Sequence, residues 1–411
     1  MVLTLVVMAA VAAGWSLVAG RLERWHIRTP QVMVLAGVVV ALVTEAFIDT
    51  VNSTVAQHVA EVILAVLLFV DATEVRGGRL FGEEPGLAAR ALLIAMPLSL
   101  ALAVVIGWPL LPSALGWPAL LVIACIVVPI DLAPAESLVR DRSVPERVRG
   151  LLNVESGYND GIMSPLFLFA LVLAGTSSSA DTPLEALGTA VPSAVKAVLA
   201  GLCFGLLIAW LMNTTERLGW TTDQSRRITM VAAPLLTYTV TVAVGGNGFV
   251  AAFVCGIAFR FLRQVAPSQR VKRRVRTPDM QLLEDTAAMA TIAMWFYLGN
   301  AAVLTLWHGI SWQLLLYCLA VLTVVRIVPM LLALTGSSMP WRERLIVGAI
   351  GPRGTTSIVF GLLAFNDLPE GDLADTALAA MTITVIASVL LHGPGSLLVG
   401  RVPWSKRRAT A

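Results

Sequence analysis

The stretch Pro129-Ile130-Asp131-Leu132-Ala133-Pro134 sets a carboxylate between two prolines, in the middle of an apolar run that extends over 118–139. Each proline removes a backbone donor and obstructs the carbonyl one turn earlier, so a helix through this run should break around Asp131. Freed carbonyls and half-helix ends at such a break would suit a cation. A charged side chain at the centre of a membrane span costs roughly 2.5–3.5 kcal/mol, which makes Asp131 a candidate functional residue rather than an idle acid.

The rest of the chain supports the membrane setting. It has 411 residues, 57% of them hydrophobic and only 13% charged, with a mean hydropathy of +0.82. Soluble domains carry about a quarter charged residues, so an ordinary cytosolic enzyme is excluded. Hydropathy and turn residues give candidate spans at 2–20, 31–48, 54–72, 88–111, 118–139, 150–174, 194–212, 228–244, 248–263, 285–306, 312–334, 344–366 and 375–399. The expected architecture is an all-α polytopic bundle of about thirteen spans, one membrane domain over 1–400 with a short basic tail over 401–411. The first run lacks a basic leader and a small-residue cleavage site, so it reads as a span rather than a signal peptide.

Arginines fall on alternate connections: Arg21/Arg24/Arg28, Arg76/Arg79/Arg90, Arg140/Arg142/Arg147/Arg149, Arg217/Arg226/Arg227, Arg260 to Arg276, Arg342/Arg344, and Arg401 to Arg408. The positive-inside rule then places the N-terminus outside and the C-terminus in the cytoplasm, in the plasma (inner) membrane. Lys196 is the exception and should snorkel at the outer end of its span, with 181–193 as an interfacial stretch before it. A net charge of +3 gives no reason to expect nucleic acid, and lipid is the surrounding partner. Cys125, Cys203, Cys255 and Cys318 lie far apart in apolar runs and read as small core residues; His26, His58, His308 and His392 have no metal-ligand spacing.

A second break is expected in Gly348-Ala349-Ile350-Gly351-Pro352-Arg353-Gly354-Thr355-Thr356-Ser357, in the twelfth span. Broken helices in corresponding places of two halves point to a transporter with its site at the bilayer midplane. The offset of seven spans is odd, so the two breaks run in opposite directions, as inverted repeats require. The sixth span opens with Asn153-Val154-Glu155-Ser156-Gly157-Tyr158-Asn159-Asp160-Gly161. Glu155 with Asn159 and Ser156 with Asp160 are i, i+4 pairs, so one inward helical face is polar. Three acids and an arginine in the spans would together cost on the order of 10 kcal/mol if unpaired. Arg353 with Glu155 is the expected structural pair, leaving Asp160 and Asp131 for something mobile. Arg326, before Pro329, reads as reaching the interface or as a bundle ion pair.

Glu155-Ser156-x-x-Asn159-Asp160-Gly161, Pro129-x-Asp131 and Gly351-Pro352-Arg353-Gly354, in their order along the chain, resemble the monovalent cation:proton antiporter family, in the NhaP-like, electroneutral part of its sodium/proton exchanger branch. The resemblance implies core and dimerisation bundles, a homodimer, no cofactor, and exchange of Na+, with Li+ or K+ as variants, for H+. It implies that Asp160 exchanges the proton for the cation, with Asp131, Ser156 and backbone at Ile130 as further contacts. It also implies that Asn159 stands where the electrogenic branch has a second aspartate, and that Glu155 and Arg353 form a structural ion pair. Leu67-Leu68-Phe69-Val70-Asp71 resembles another family segment, which implies a role for Asp71 through water. The chain departs from the family at Ile130, where a threonine is usual, and at Leu132, where a proline is usual.

The physical logic is competition: a carboxylate in a partly dry cavity is neutralised by a proton or by a cation, but poorly by both. Obligatory exchange through one alternately exposed site follows. A potassium-selective antiporter or a symporter on a related fold is the alternative reading. An intramembrane aspartyl protease is remote, because its two aspartates must share a proton and Glu155, Asn159 and Arg353 would have no task.

Overall fold

A computed structural model of the chain describes residues 2–22, 28–44, 54–74, 84–112, 115–132, 144–175, 183–265 and 280–399, with Gly82 and Pro134. The expected basic connections at Arg76/Arg79, Arg140/Arg142 and 270–276, and the 401–411 tail, lie outside the described residues. Among the described residues there are helices and turns and no strand. In chain order the helices are α1 (Val2–Leu22), α2 (Thr29–Thr44), α3 (Thr54–Glu74), α4 (Pro85–Leu110), α5 (Trp117–Val127), α6 (Glu146–Leu173) and α7 (Pro183–Leu218). They continue as α8 (Asp223–Ala243), α9 (Gly248–Val265), α10 (Gln281–His308), α11 (Trp312–Ala333), α12 (Trp341–Ala349), α13 (Thr355–Asp367) and α14 (Asp372–Val399). Of these, α4, α7, α9, α10, α11 and α14 are long and apolar enough to cross a membrane by length and composition, and α1, α2 and α5 are shorter apolar helices.

The breaks fall where the prolines require them. Helix α5 stops at Val127, two residues before Pro129, and α12 stops at Ala349, before Pro352. Other prolines bend without breaking. Pro97 cannot serve the carbonyl one turn back, and the backbone widens into a π turn over Ala91–Ala95 just ahead of it. Pro329 likewise leaves the Val325 carbonyl without its helical donor; α11 kinks at Thr323, and Ser99 Oγ of α4 donates to Val325 O at 2.9 Å. Two expectations are corrected. From Pro183 the stretch expected before the seventh span is not a separate element: α7 runs through Pro192 as one helix of 36 residues, roughly 54 Å at 1.5 Å per residue. Cys203 faces outward on α7, whereas Cys125, Cys255 and Cys318 are buried.

Helices α2, α3, α7, α8, α9 and α10 pack on one another, as do α4, α5 and α11 to α14, and the two sets meet where α3 and α10 pack on α13 and α10 on α14. Helix α6 touches both, through α5, α12 and α13 on one side and α3, α7 and α9 on the other. Aromatic contacts fix it: Phe167 stacks on Phe360 of α13 at 4.5 Å, and Tyr158 meets Phe253 of α9 edge-on at 5.7 Å. Lys196 reaches the end of α8, donating to Val244 O at 3.0 Å.

Candidate functional site

The two breaks meet. The Asp131 backbone N–H donates to Pro352 O at 2.8 Å, joining one interrupted segment to the other. A half-helix starting inside a membrane has backbone donors with no partner, and one ending there has free carbonyls. Each break supplies what the other lacks. The Asp131 carboxylate accepts the Thr355 N–H through Oδ2 at 2.8 Å, placing an anion on the N-terminus of α13. The Arg353 guanidinium donates through Nε to Val127 O at 2.6 Å, placing a cation on the C-terminus of α5, and through Nη1 to Gly351 O at 2.6 Å. Its own backbone N–H donates to Ser388 Oγ of α14 at 2.7 Å. Gly354 is required by close approach, since a Cβ there would overlap the Asp131 carboxylate.

The expected pair of Glu155 with Arg353 is not formed. Glu155 pairs with Arg326 through both oxygens, Nη1 on Oε1 and Nη2 on Oε2, the latter at 2.9 Å. Arg353 is committed to carbonyls, whereas the kink in α11 turns Arg326 toward α6. Arg326 Nη2 also donates to Val347 O at 3.2 Å and Ile350 O at 3.1 Å, so it holds the C-terminal end of α12 as well. Of the two readings open for Arg326, the bundle ion pair is the observed one. The signal available in the sequence was Pro329, three residues on, which predicts a bend without predicting which way Arg326 turns.

The polar face of α6 lies against these breaks. Glu155, Asn159 and Asp160 are buried, as are Arg326 and Arg353; Asp131, Ser156 and Asp71 are half-buried. Asn159 Nδ2 donates to Ile130 O at 2.6 Å, using one lone pair of the backbone carbonyl expected at the cation site. Ser156 Oγ accepts the Leu132 N–H at 3.3 Å. Asp160 accepts a hydrogen bond at Oδ2 from the Thr356 hydroxyl of α13, a contact the sequence reading did not assign. Asp160 Oδ1 and Asn159 Oδ1 are buried with no donor among the described residues. Asp131 and Asp160 reach consecutive residues at the start of α13, Asp131 the Thr355 N–H and Asp160 the Thr356 hydroxyl. Asp71 sits on α3, which packs against both α6 and α13. A narrow crevice of about 10 Å³, room for about one water molecule, opens beside the first break, walled by Pro129, Ile130, Asn159, Glu155, Arg326 and Arg353.

Three carboxylates, Asp131, Glu155 and Asp160, stand against two guanidiniums, Arg326 and Arg353. Glu155 takes Arg326 and Arg353 is committed to carbonyls, so among the described residues the buried Asp160 carboxylate has no cationic partner. Unpaired acceptor oxygens beside that charge suit one proton or one monovalent cation.

Residues 6–395 match the family model described as "Sodium/hydrogen exchanger, transmembrane". Among curated proteins, a Na(+)/H(+) antiporter of Schizosaccharomyces pombe is 21% identical over 277 residues, covering 61% of this chain and 57% of that protein. The K(+)/H(+) antiporter NhaP2 of Shewanella baltica is 25% identical over 256 residues, covering 60% of this chain and 41% of that protein. The matches thus span about half the length of these relatives. Among solved structures, the sodium proton antiporter MjNhaP1 from Methanocaldococcus jannaschii at pH 8 superposes with a TM-score of 0.74 at 19% identity, covering 95% of this chain and 99% of that one. The fold is that of MjNhaP1.

Proposed function

The chain belongs to the sodium/hydrogen exchanger family, a family of multi-pass membrane proteins, and from that premise we propose that it exchanges one monovalent cation, Na+ with Li+ as a second substrate, for one H+. The observation that carries this reading is the buried Asp160 carboxylate, whose Oδ1 has no donor and which has no cationic partner among the described residues. Either occupant cancels that charge. An empty junction moves through the bilayer as a net anion, which is costly, so the occupied forms cross and the empty one does not. Exchange is then obligatory and electroneutral, one for one, with the site open to each side in turn.

In this reading Asp160 is the exchanging group, Ser156, Asp131 and the Ile130 carbonyl contribute oxygens, and Asn159 fixes the broken segment through Ile130. Asp71 acts through water. Asp131 has a double task, since the oxygen that caps α13 ties the cation site to the N-terminus of a half-helix. Glu155 with Arg326 holds the bundle together. The protein sits in the plasma membrane as a homodimer, N-terminus outside and C-terminus inside.

The test is cation-driven dissipation of a pH gradient in proteoliposomes with Na+, Li+ and K+. Saturable exchange, lost in Asp160→Asn and unaffected by an imposed membrane potential, is the expected outcome. Transport at the normal rate in Asp160→Asn would overturn the mechanism, and a marked voltage dependence would overturn the one-for-one stoichiometry. The relatives named K(+)/H(+) antiporter favour a second reading, in which K+ is the preferred cation; a lower KM for K+ than for Na+ in the same assay would select it.

A further inference from the structure

Resting on the reading of Asp160 as the exchanging carboxylate, we propose that Thr356 is a further cation ligand of this site and helps to set which cation it takes. Threonines in the helices of this molecule ordinarily return the hydroxyl to the carbonyl four residues back. Thr237, Thr241, Thr305 and Thr323 all do so, at 2.6–2.8 Å. Thr356 does not. Its carbonyl four residues back, Pro352 O, lies in the break and already accepts the Asp131 N–H. The Thr356 hydroxyl crosses to α6 instead and donates to Asp160 Oδ2, and both residues are buried, 4% and 3% exposed.

A hydroxyl has one proton and two acceptor lone pairs. The Thr356 proton is directed at the carboxylate, and no described donor reaches its lone pairs. Asp160 Oδ1 on the facing helix is in the same condition. Two buried acceptor oxygens without donors, held together by a hydrogen bond to the second carboxylate oxygen, make a pair of ligands for a hard cation. The hydroxyl serves the other occupant as well, since rotation lets it accept from Asp160 when the carboxyl is protonated. Thr356 lies in the first turn of α13, so it is carried by the half-helix whose N-terminus Asp131 caps. Both breaks then contribute an oxygen to the cation, one from each side of the crossing.

The experiment compares Thr356→Val, which keeps the shape and removes the hydroxyl, with Thr356→Ser, which keeps the hydroxyl. Exchange kinetics are measured in proteoliposomes for Na+, Li+ and K+, alongside the thermal stabilisation that each cation confers on the detergent-solubilised protein. Loss of one oxygen ligand is expected to raise the KM for Na+ and Li+ about five- to tenfold in Thr356→Val, with Vmax changed less than about twofold. The rise should be smaller for K+, because a larger cation depends less on each ligand. Cation-dependent stabilisation should shift to higher concentration by a similar factor, and Thr356→Ser should restore both. Unchanged KM and stabilisation in Thr356→Val, or an equal defect in Thr356→Ser, would overturn the proposal. If Thr356→Val does not accumulate, Thr356→Ala carries the same expectation. Asp160→Asn is run in parallel: retained exchange there would overturn the reading of the site itself, whereas a silent Thr356→Val beside an inactive Asp160→Asn overturns this inference alone.

Discussion

The crossing of the two breaks and the contacts among α2, α7, α9 and α10 are both tight, but for opposite reasons. At the crossing, charged side chains and half-helix ends satisfy one another at 2.6–3.2 Å: Asp131 on Thr355 N, Arg353 on Val127 O, Arg326 on Val347 O. In the other group the backbones approach because side chains are missing. A Cβ on Gly299 of α10 would sit 2.8 Å from the Gly37 Cα of α2, and one on Gly201 of α7 would sit 2.6 Å from Ala251 O of α9. Lipid is as apolar as leucine, so helices in a membrane gain little by burying hydrophobic surface against each other and rely on close van der Waals packing or on polar contacts. One region uses the first device and the other uses the second. Packing of that kind has a single well-fitted arrangement, whereas a junction of charges responds to any change in its net charge. The exchange proposed above therefore places its ion-dependent step at the crossing, with the glycine-packed group as its frame.

The most severe way to break this contrast is Arg326→Met. It leaves Glu155 buried without its partner and uncaps the end of α12, and removal of one member of a buried pair costs about 3–5 kcal/mol. Thermal unfolding of the purified protein should show a large fall in Tm. Adding Glu155→Gln removes the stranded charge, so the double variant should recover part of that fall. Strictly additive losses would show that the two side chains do not act as a pair, and would move the junction toward the packing-dominated region.

Gly299→Val tests the other side. A branched side chain at a backbone contact forces α2 and α10 apart, with a cost of about 1–3 kcal/mol. The expected signature is a lower Tm with the KM for Na+ unchanged, because nothing at the crossing is touched. A raised KM at unaltered Tm would mean that the frame is itself part of the ion-dependent step.

The same contrast explains what could be read from the chain beforehand. Helix positions, both breaks and the polar face of α6 depend on local features, namely hydropathy, proline, and i, i+4 spacing, and each appears where those features are. The partner of Glu155 depends on the rotation of another helix. Arg353 follows Pro352 and Arg326 stands three residues before Pro329, and it is Arg326, past the kink at Thr323 with φ −118° and ψ −85°, that meets Glu155. Thr356 looked like one polar residue among three, Thr355-Thr356-Ser357, at the start of a half-helix. Its hydroxyl is significant because the break has already used the carbonyl it would otherwise meet, which emerges only when both breaks are laid together. The glycines are equally silent, since a glycine in a span does not say which backbone it will meet.

Ser99→Ala is the smallest of these changes. Pro329 withholds a donor from the Val325 carbonyl, and the Ser99 hydroxyl replaces it at 2.9 Å. Losing one hydrogen bond to a buried carbonyl should cost about 1 kcal/mol. Replacing Pro329 by alanine in the same protein restores an N–H one turn below Val325, so the stability lost in Ser99→Ala should largely return. Exchange should stay normal in both variants, because the buried Glu155–Arg326 pair is left in place. A double variant that loses both Tm and exchange would show instead that Pro329 holds Arg326 on Glu155, since breaking that buried pair costs about 3–5 kcal/mol, and the hydroxyl of Ser99 would then serve the ion pair as well as the carbonyl.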